Sequence, residues 1–155
     1  MAHPSLDDRS LDADDLALFE QARELLTRAH HPERHQVAAA LRSASGRTYL
    51  GLHIGSRRVN VCAESSAIAN AQMAGDEGIA TIVAVCKDDA GRVVVTNPCG
   101  VCRELMGTYG RSADVLVDLG GAVRKVRAAD LLPTPWQFPR ENDWSVQDPS
   151  IGAAP

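Results

Sequence analysis

Ile79-Ala-Thr-Ile-Val-Ala-Val-Cys86 is an unbroken, largely apolar run. A strand with one face in water alternates polar and apolar residues, so a continuous run marks a strand buried on both sides. We therefore place a central strand here, in a sheet that needs cover from two directions. Asp88-Asp-Ala-Gly91 turns the chain into a second strand, Val93–Thr96. On the N-terminal side, Ala63 to Ala74 is rich in alanine and free of proline and glycine, which predicts a helix ending before Gly75.

Further out, Gln36–Leu41 and Arg47–His53 read as two strands joined by a hairpin turn at Ser43-Ala-Ser-Gly46. Leu16, Leu18, Phe19, Ala22, Leu25, Leu26 and Ala29 recur at helical spacing, with Asp12 as N-cap and acidic residues at the favourable end of the dipole. Beyond the central strand, a short helix over Cys99–Met106 is expected to stop at Gly107. Strands follow at Val115–Val117 and Val123–Val126, then a helical turn at Ala129–Leu132. Strands alternating with helices predict an α/β layered sheet covered by helices.

The chain has 155 residues and a formal charge of −4. That length suits one domain, placed at residues 1–132 after a short polar N-terminus, with a proline- and aromatic-rich tail over 133–155. Acidic balance argues against a nucleic-acid polymer as partner, because such binders carry basic patches, and favours a small molecule. No apolar run approaches a membrane span, and Met1–Ser10 lacks the basic flank and apolar stretch of a signal peptide. A cytoplasmic location is the expectation, and C-x-x-C in a reducing compartment reads as metal or redox chemistry.

Cys62-Ala-Glu64 and Pro98-Cys99-Gly-Val-Cys102-Arg103 carry that chemistry. Three thiols can occupy three of the four positions around zinc and leave one open for water, as catalytic sites do and closed structural sites do not. The ligands must be thiolates, whereas a free thiol with a pKa of about 8.5 is mostly protonated at neutral pH. Helix N-termini favour the anion, and all three cysteines fall at predicted helix starts, where Pro98 is also tolerated. Glu64, two residues past Cys62, reaches the open position without being a ligand, which suits a proton carrier for the water held there. Three thiolates overcompensate a divalent ion; Arg103 is expected to donate to the sulfurs and offset part of that charge.

C-x-x-C alone also suits a thioredoxin-like redox pair or structural zinc. The third cysteine weighs against the first and Glu64 against the second. A non-catalytic, zinc-stabilised binding protein of the same fold is the alternative to an enzyme. Cys86 reads as a small buried hydrophobe, and His30, His31 and His35 as a surface cluster without metal.

With the closing Asp130-Leu-Leu-Pro133, these motifs make the stretch from Gln36 to Pro133 resemble the zinc-dependent cytidine deaminase family, including its blasticidin-S deaminase branch. The resemblance implies a three-layer α/β/α fold with a five-stranded mixed sheet, one zinc per subunit, and a homotetramer or dimer with sites near subunit interfaces. Carried over to this chain, Cys62, Cys99 and Cys102 hold zinc and Glu64 is the acid and base. The Ala63 N–H holds a pyrimidine carbonyl oxygen, and the carbonyl of Asn97 faces the leaving amine. The implied substrate is a small aminated pyrimidine-like nucleoside or heterocycle.

The departures from that family concern substrate recognition. His35-Gln-Val-Ala-Ala-Ala40 places a histidine where a ring-packing phenylalanine is usual. His53-Ile-Gly55-Ser replaces the asparagine and glutamate that bind ribose, and Ser65 stands where arginine often follows the glutamate. His53 and Gly55 therefore mark an altered pocket, expected to handle ordinary cytidine poorly. Trp136, Phe138 and Trp144 supply three of the six aromatic residues in the chain. The resemblance implies an aromatic in this region that closes the pocket over a flat ring, in its own or a neighbouring subunit, and Trp136, with Phe138 second, is the candidate; gluing the tail to a core or interface is the other possibility.

Overall fold

In the computed structural model, which describes residues 6–137, the chain runs α1 (Ala13–Ala29), β1 (Val37–Ser43), β2 (Thr48–Leu52), β3 (Ile54–Gly55) and β4 (Asn60–Val61). It continues through α2 (Ala63–Met73), β5 (Ile79–Lys87), β6 (Val93–Thr96), α3 (Gly100–Tyr109), β7 (Asp114–Asp118) and β8 (Val123–Arg127), and ends on a 3-10 turn at Ala128–Leu131. Phe138 and Trp144 lie outside the described residues.

Five strands stand in the order β2-β1-β5-β7-β8, with β5 in the middle as its apolar run requires. The β5–β7 pairing is parallel and the others antiparallel, so the sheet is mixed. Strand β6 adds a further antiparallel pairing on β5, opposite Ala84 to Lys87, while β7 pairs at Thr81 and Ile82. The end of β6 is thereby brought beside the end of β7.

Alternation along the strands assigns the two faces. Ala38 and Ala40 of β1, Val83 and Val85 of β5 and Leu116 of β7 pack with Leu18, Ala22 and Leu26 of α1. Ala39, Leu41, Ile82, Ala84, Val115 and Val117 point the other way, into a core shared with Ala67 and Ile68 of α2 and Met106 of α3. Helix α1 covers one face and α2 and α3 the other, which is the expected three-layer arrangement.

Asp12 caps α1 through a reciprocal capping box with Asp15, both bonds being 3.0 Å. The pair also anchors β8, because Lys125 Nζ lies 2.8 Å from Asp12 Oδ2 and 2.7 Å from Asp15 Oδ2.

Two details differ from the sequence-based expectation. Helix α3 runs through Gly107 and ends at Gly110, where the N–H caps on the Met106 carbonyl. A glycine inside a helix costs only about 1 kcal/mol, and the buried packing of Cys102 and Met106 outweighs it. The segment between β2 and α2 folds back as the small β3–β4 hairpin, whose two-residue strands are too short to show a period.

Candidate active site

Cys62 is the N-cap of α2 and Cys99 the N-cap of α3, both with extended backbone, and Cys102 lies in the first turn of α3. The connections from β4 and β6 bring these two helix starts together. All three sulfurs lie within 4.8 Å of one another, and those of Cys62 and Cys99 are 3.5 Å apart. A tetrahedral ion with Zn–S bonds of about 2.3 Å needs sulfurs roughly 3.8 Å apart. The three thiols, none in a disulfide, fit that ion with little adjustment. Cys102 is buried, whereas Cys62 and Cys99 border the surface, so the open side of the cluster faces a cleft.

Burial raises the Cys62 thiol above its ordinary value, and the Cys99 sulfur adds to this. Burial, then the charges of Glu64 and Cys62, push Cys102 well up. Burial also opposes ionisation of Cys99, yet backbone N–H groups of Cys102 and Val101 and the neighbouring sulfurs hold it below its usual value. Cys99 is thus the thiol best prepared for ionisation, and a divalent cation stabilises the other two as thiolates. Glu64, in the first turn of α2, is 5% exposed, and burial raises its carboxyl above the ordinary range.

A cleft of about 210 Å³ opens over the cluster. Of the residues singled out from the sequence, Cys62, Ala63, Glu64, Asn97, Cys99 and His53 line it; Val37 and Thr96 also line it and were not foreseen. The Asn97 side chain is held at both ends by Asp118, whose N–H donates to Oδ1 at 2.8 Å and whose carbonyl accepts from Nδ2 at 3.0 Å. This tie between the ends of β6 and β7 fixes the loop that carries Cys99.

His53 is equally constrained. Its Nδ1 accepts from the Gln36 N–H at 3.2 Å, so Nε2 carries the proton and donates to Asn60 Oδ1 at 3.1 Å. His35 does not line the cleft; its Nδ1 lies 2.9 Å from the His53 carbonyl oxygen, which it braces from behind. Gly55 is buried, and a Cβ there would lie 3.0 Å from the Glu33 carbonyl oxygen and 3.1 Å from both Asn60 Oδ1 and His53 Cε1.

Arg103 does not contact the sulfurs as expected. Its Nε donates to the Pro98 carbonyl at 2.9 Å and its Nη1 to the Leu131 carbonyl at 3.2 Å, because these unpaired carbonyls lie within reach. The polar neighbour of Cys102 is Ser65, with Oγ 3.9 Å from Sγ. Trp136 is 70% exposed and borders a separate groove with Arg103, Thr108 and Leu132, away from the cleft of its own chain.

Residues 12–117 match the family model described as the cytidine and deoxycytidylate deaminase zinc-binding region. A blasticidin-S deaminase from Bacillus cereus is 38% identical over 125 residues, spanning 77% of this chain and 89% of that protein. The structure of cytidine deaminase from Burkholderia pseudomallei superposes with a TM-score of 0.66 at 28% identity, covering 81% of this chain and all of that one. Cytidine deaminase from Mycobacterium tuberculosis gives a TM-score of 0.65 at 27% identity over 82% of this chain and all of the other.

Proposed function

The chain belongs to the cytidine and deoxycytidylate deaminase family, a zinc-dependent hydrolytic deaminase by that membership, and we propose that it removes the amino group of an aminated pyrimidine-like heterocycle. The observation carrying the proposal is Glu64, a desolvated carboxyl lining the same cleft as the Cys62 and Cys99 thiols, with Cys102 completing the cluster. Cys62, Cys99 and Cys102 hold the zinc, which supplies Lewis-acid activation of a water molecule when bound.

The remaining work falls to the protein. Glu64 accepts a proton from the attacking water and returns protons to the ring nitrogen and the departing amine. Burial favours its neutral form, which suits a carboxyl that must hold and return a proton as well as accept one. The Ala63 N–H, at the free end of α2, donates to a ring carbonyl oxygen. The Asn97 carbonyl, fixed by the Asp118 tie, receives the amine as it leaves.

Ordinary cytidine is a poor substrate in this proposal. Gly55 offers no side chain to ribose and is buried behind His53, whose two ring nitrogens are already engaged. Losing such hydrogen bonds costs roughly 1–3 kcal/mol. The likeness to blasticidin-S deaminase makes that nucleoside one candidate substrate. We assign the enzyme to the cytoplasm, whose reducing conditions keep its four free cysteines available. Its assembly is a homotetramer or dimer in which Trp136 reaches a neighbouring subunit. No described helix is long and apolar enough to cross a membrane.

Ammonia release from cytidine, deoxycytidine, cytosine and blasticidin S, with kcat/KM for each, tests this account of the pocket. Cytidine is expected well below the other accepted substrates. Turnover of cytidine at about 10⁴ M⁻¹s⁻¹ or faster would contradict it.

A further inference from the structure

Most of the polar side chains lining the cleft already have work to do. The His53 ring nitrogens are taken by Gln36 and Asn60, and the Asn97 amide by Asp118. Cys62 and Cys99 belong to the metal cluster and Glu64 to proton transfer. One side-chain polar atom is left, Thr96 Oγ1, which makes no hydrogen bond to any described residue. Thr96 is the last residue of β6, paired with Ala84 of β5. Val95 packs with the α1 core, so alternation turns Thr96 toward the α2 and α3 side. Thr96 and Glu64 also both border a narrow space that continues inward to Met106 and Val115. Thr96 is therefore at the reacting end of the cleft.

Building on the proposed deamination, we infer that Thr96 is a specificity-determining residue whose hydroxyl binds a polar substituent on the ring atom next to the carbon that loses its amine. The favoured substrates are aminopyrimidine rings bearing a hydroxyl or hydroxymethyl group there. A threonine hydroxyl both donates and accepts, so it pairs with such a group in either sense. A plain ring leaves the hydroxyl unpaired once water is displaced from the cleft, which penalises the unsubstituted analogue.

The test uses zinc-loaded protein and matched substrates: cytosine with 5-hydroxymethylcytosine, and the same two rings as nucleosides. Wild type is expected to prefer the hydroxymethyl ring in kcat/KM by roughly 3- to 10-fold within each pair. Thr96→Val, similar in shape but without the hydroxyl, is expected to bring that ratio to about one, and Thr96→Ser to restore it. A wild-type ratio at or below unity overturns the inference, as does a Thr96→Val ratio equal to that of wild type. A Thr96→Val loss shared equally by both rings would assign Thr96 to the departing amine or to the strand and also overturn it. The wild-type ratio decides even if a variant fails to fold. Ammonia from none of the four with full zinc also overturns the inference, and pyrimidine deamination itself fails only if blasticidin S is untouched as well.

Discussion

Gly51 sets how closely α2 approaches the sheet. A Cβ at this position would overlap the Ala63 carbonyl oxygen and the Ala67 amide nitrogen, and would lie 2.9 Å from the Ala67 Cβ. The backbone of β2 thus touches the first turns of the helix that carries Cys62 and Glu64. Gly51→Ala should cost roughly 1–3 kcal/mol, as overpacking usually does, and should also weaken zinc retention because α2 must move. Urea unfolding and competition with a metal chelator measure the two effects; wild-type behaviour in both would show that the contact is easily relieved. At this scale Cys62, Glu64, Cys99 and Cys102 were legible because few chemistries need those residue types at those spacings. Val37 and Thr96 were not, since membership of a cleft wall depends on which strand ends meet in space. Arg103 was read as a partner for sulfur because it adjoins Cys102, but helix geometry turns it toward the Pro98 and Leu131 carbonyls.

Among the elements, the β1–β2 hairpin is tied to the loop after α2 by one carboxylate. Asp76 Oδ2 accepts from Ser43 and Ser45 Oγ at 2.7 Å each, from Tyr49 OH at 2.8 Å and from Arg47 Nε at 3.0 Å. The Ser45 and Ser43 hydroxyls, with Tyr49 and Arg47, lower its pKa from 3.8 to about 2. Such a depressed pKa stabilises the fold above the ordinary carboxylate value, and the contribution disappears as pH falls from about 4 to about 2. Asp12, lowered to about 2 chiefly by Lys125, adds a second contribution in the same window. Melting temperature should therefore fall less steeply across that window in Asp76→Asn than in wild type; equal slopes would contradict the assignment. The start of α1 was legible through its Asp12 cap, and β5 through its continuous apolar run. The β3–β4 hairpin was hidden because its pairing rests on turn bonds such as Ser56 N to the Val59 carbonyl, at 2.9 Å, and not on apolar alternation.

For the whole molecule, the continuous apolar run Ile79–Cys86 made a sheet covered on both sides foreseeable, and Ile82 and Ala84 do face one core while Val83 and Val85 face the other. The arrival of β7 on the same edge of β5 as β6 was not, because a parallel partner distant in sequence leaves no local mark. That attachment assembles the loop carrying Asn97 and Cys99. Trp136 lies in a groove apart from its own cleft, so a closing role requires another subunit. Trp136→Ala should then raise KM or lower kcat severalfold, with solution mass and melting temperature close to wild type. A fall in solution mass with normal activity in the remaining folded protein would assign Trp136 to the interface instead.

The most direct test of the central claim combines zinc content with ammonia release in wild type and Glu64→Gln. Wild type should hold one zinc per chain and release ammonia from at least one aminopyrimidine. Glu64→Gln should keep its zinc and its melting temperature but lose turnover by at least about 10²–10⁴-fold. Full activity in Glu64→Gln would contradict the assignment of Glu64. No ammonia from any amine at full zinc occupancy would contradict the deaminase account as a whole.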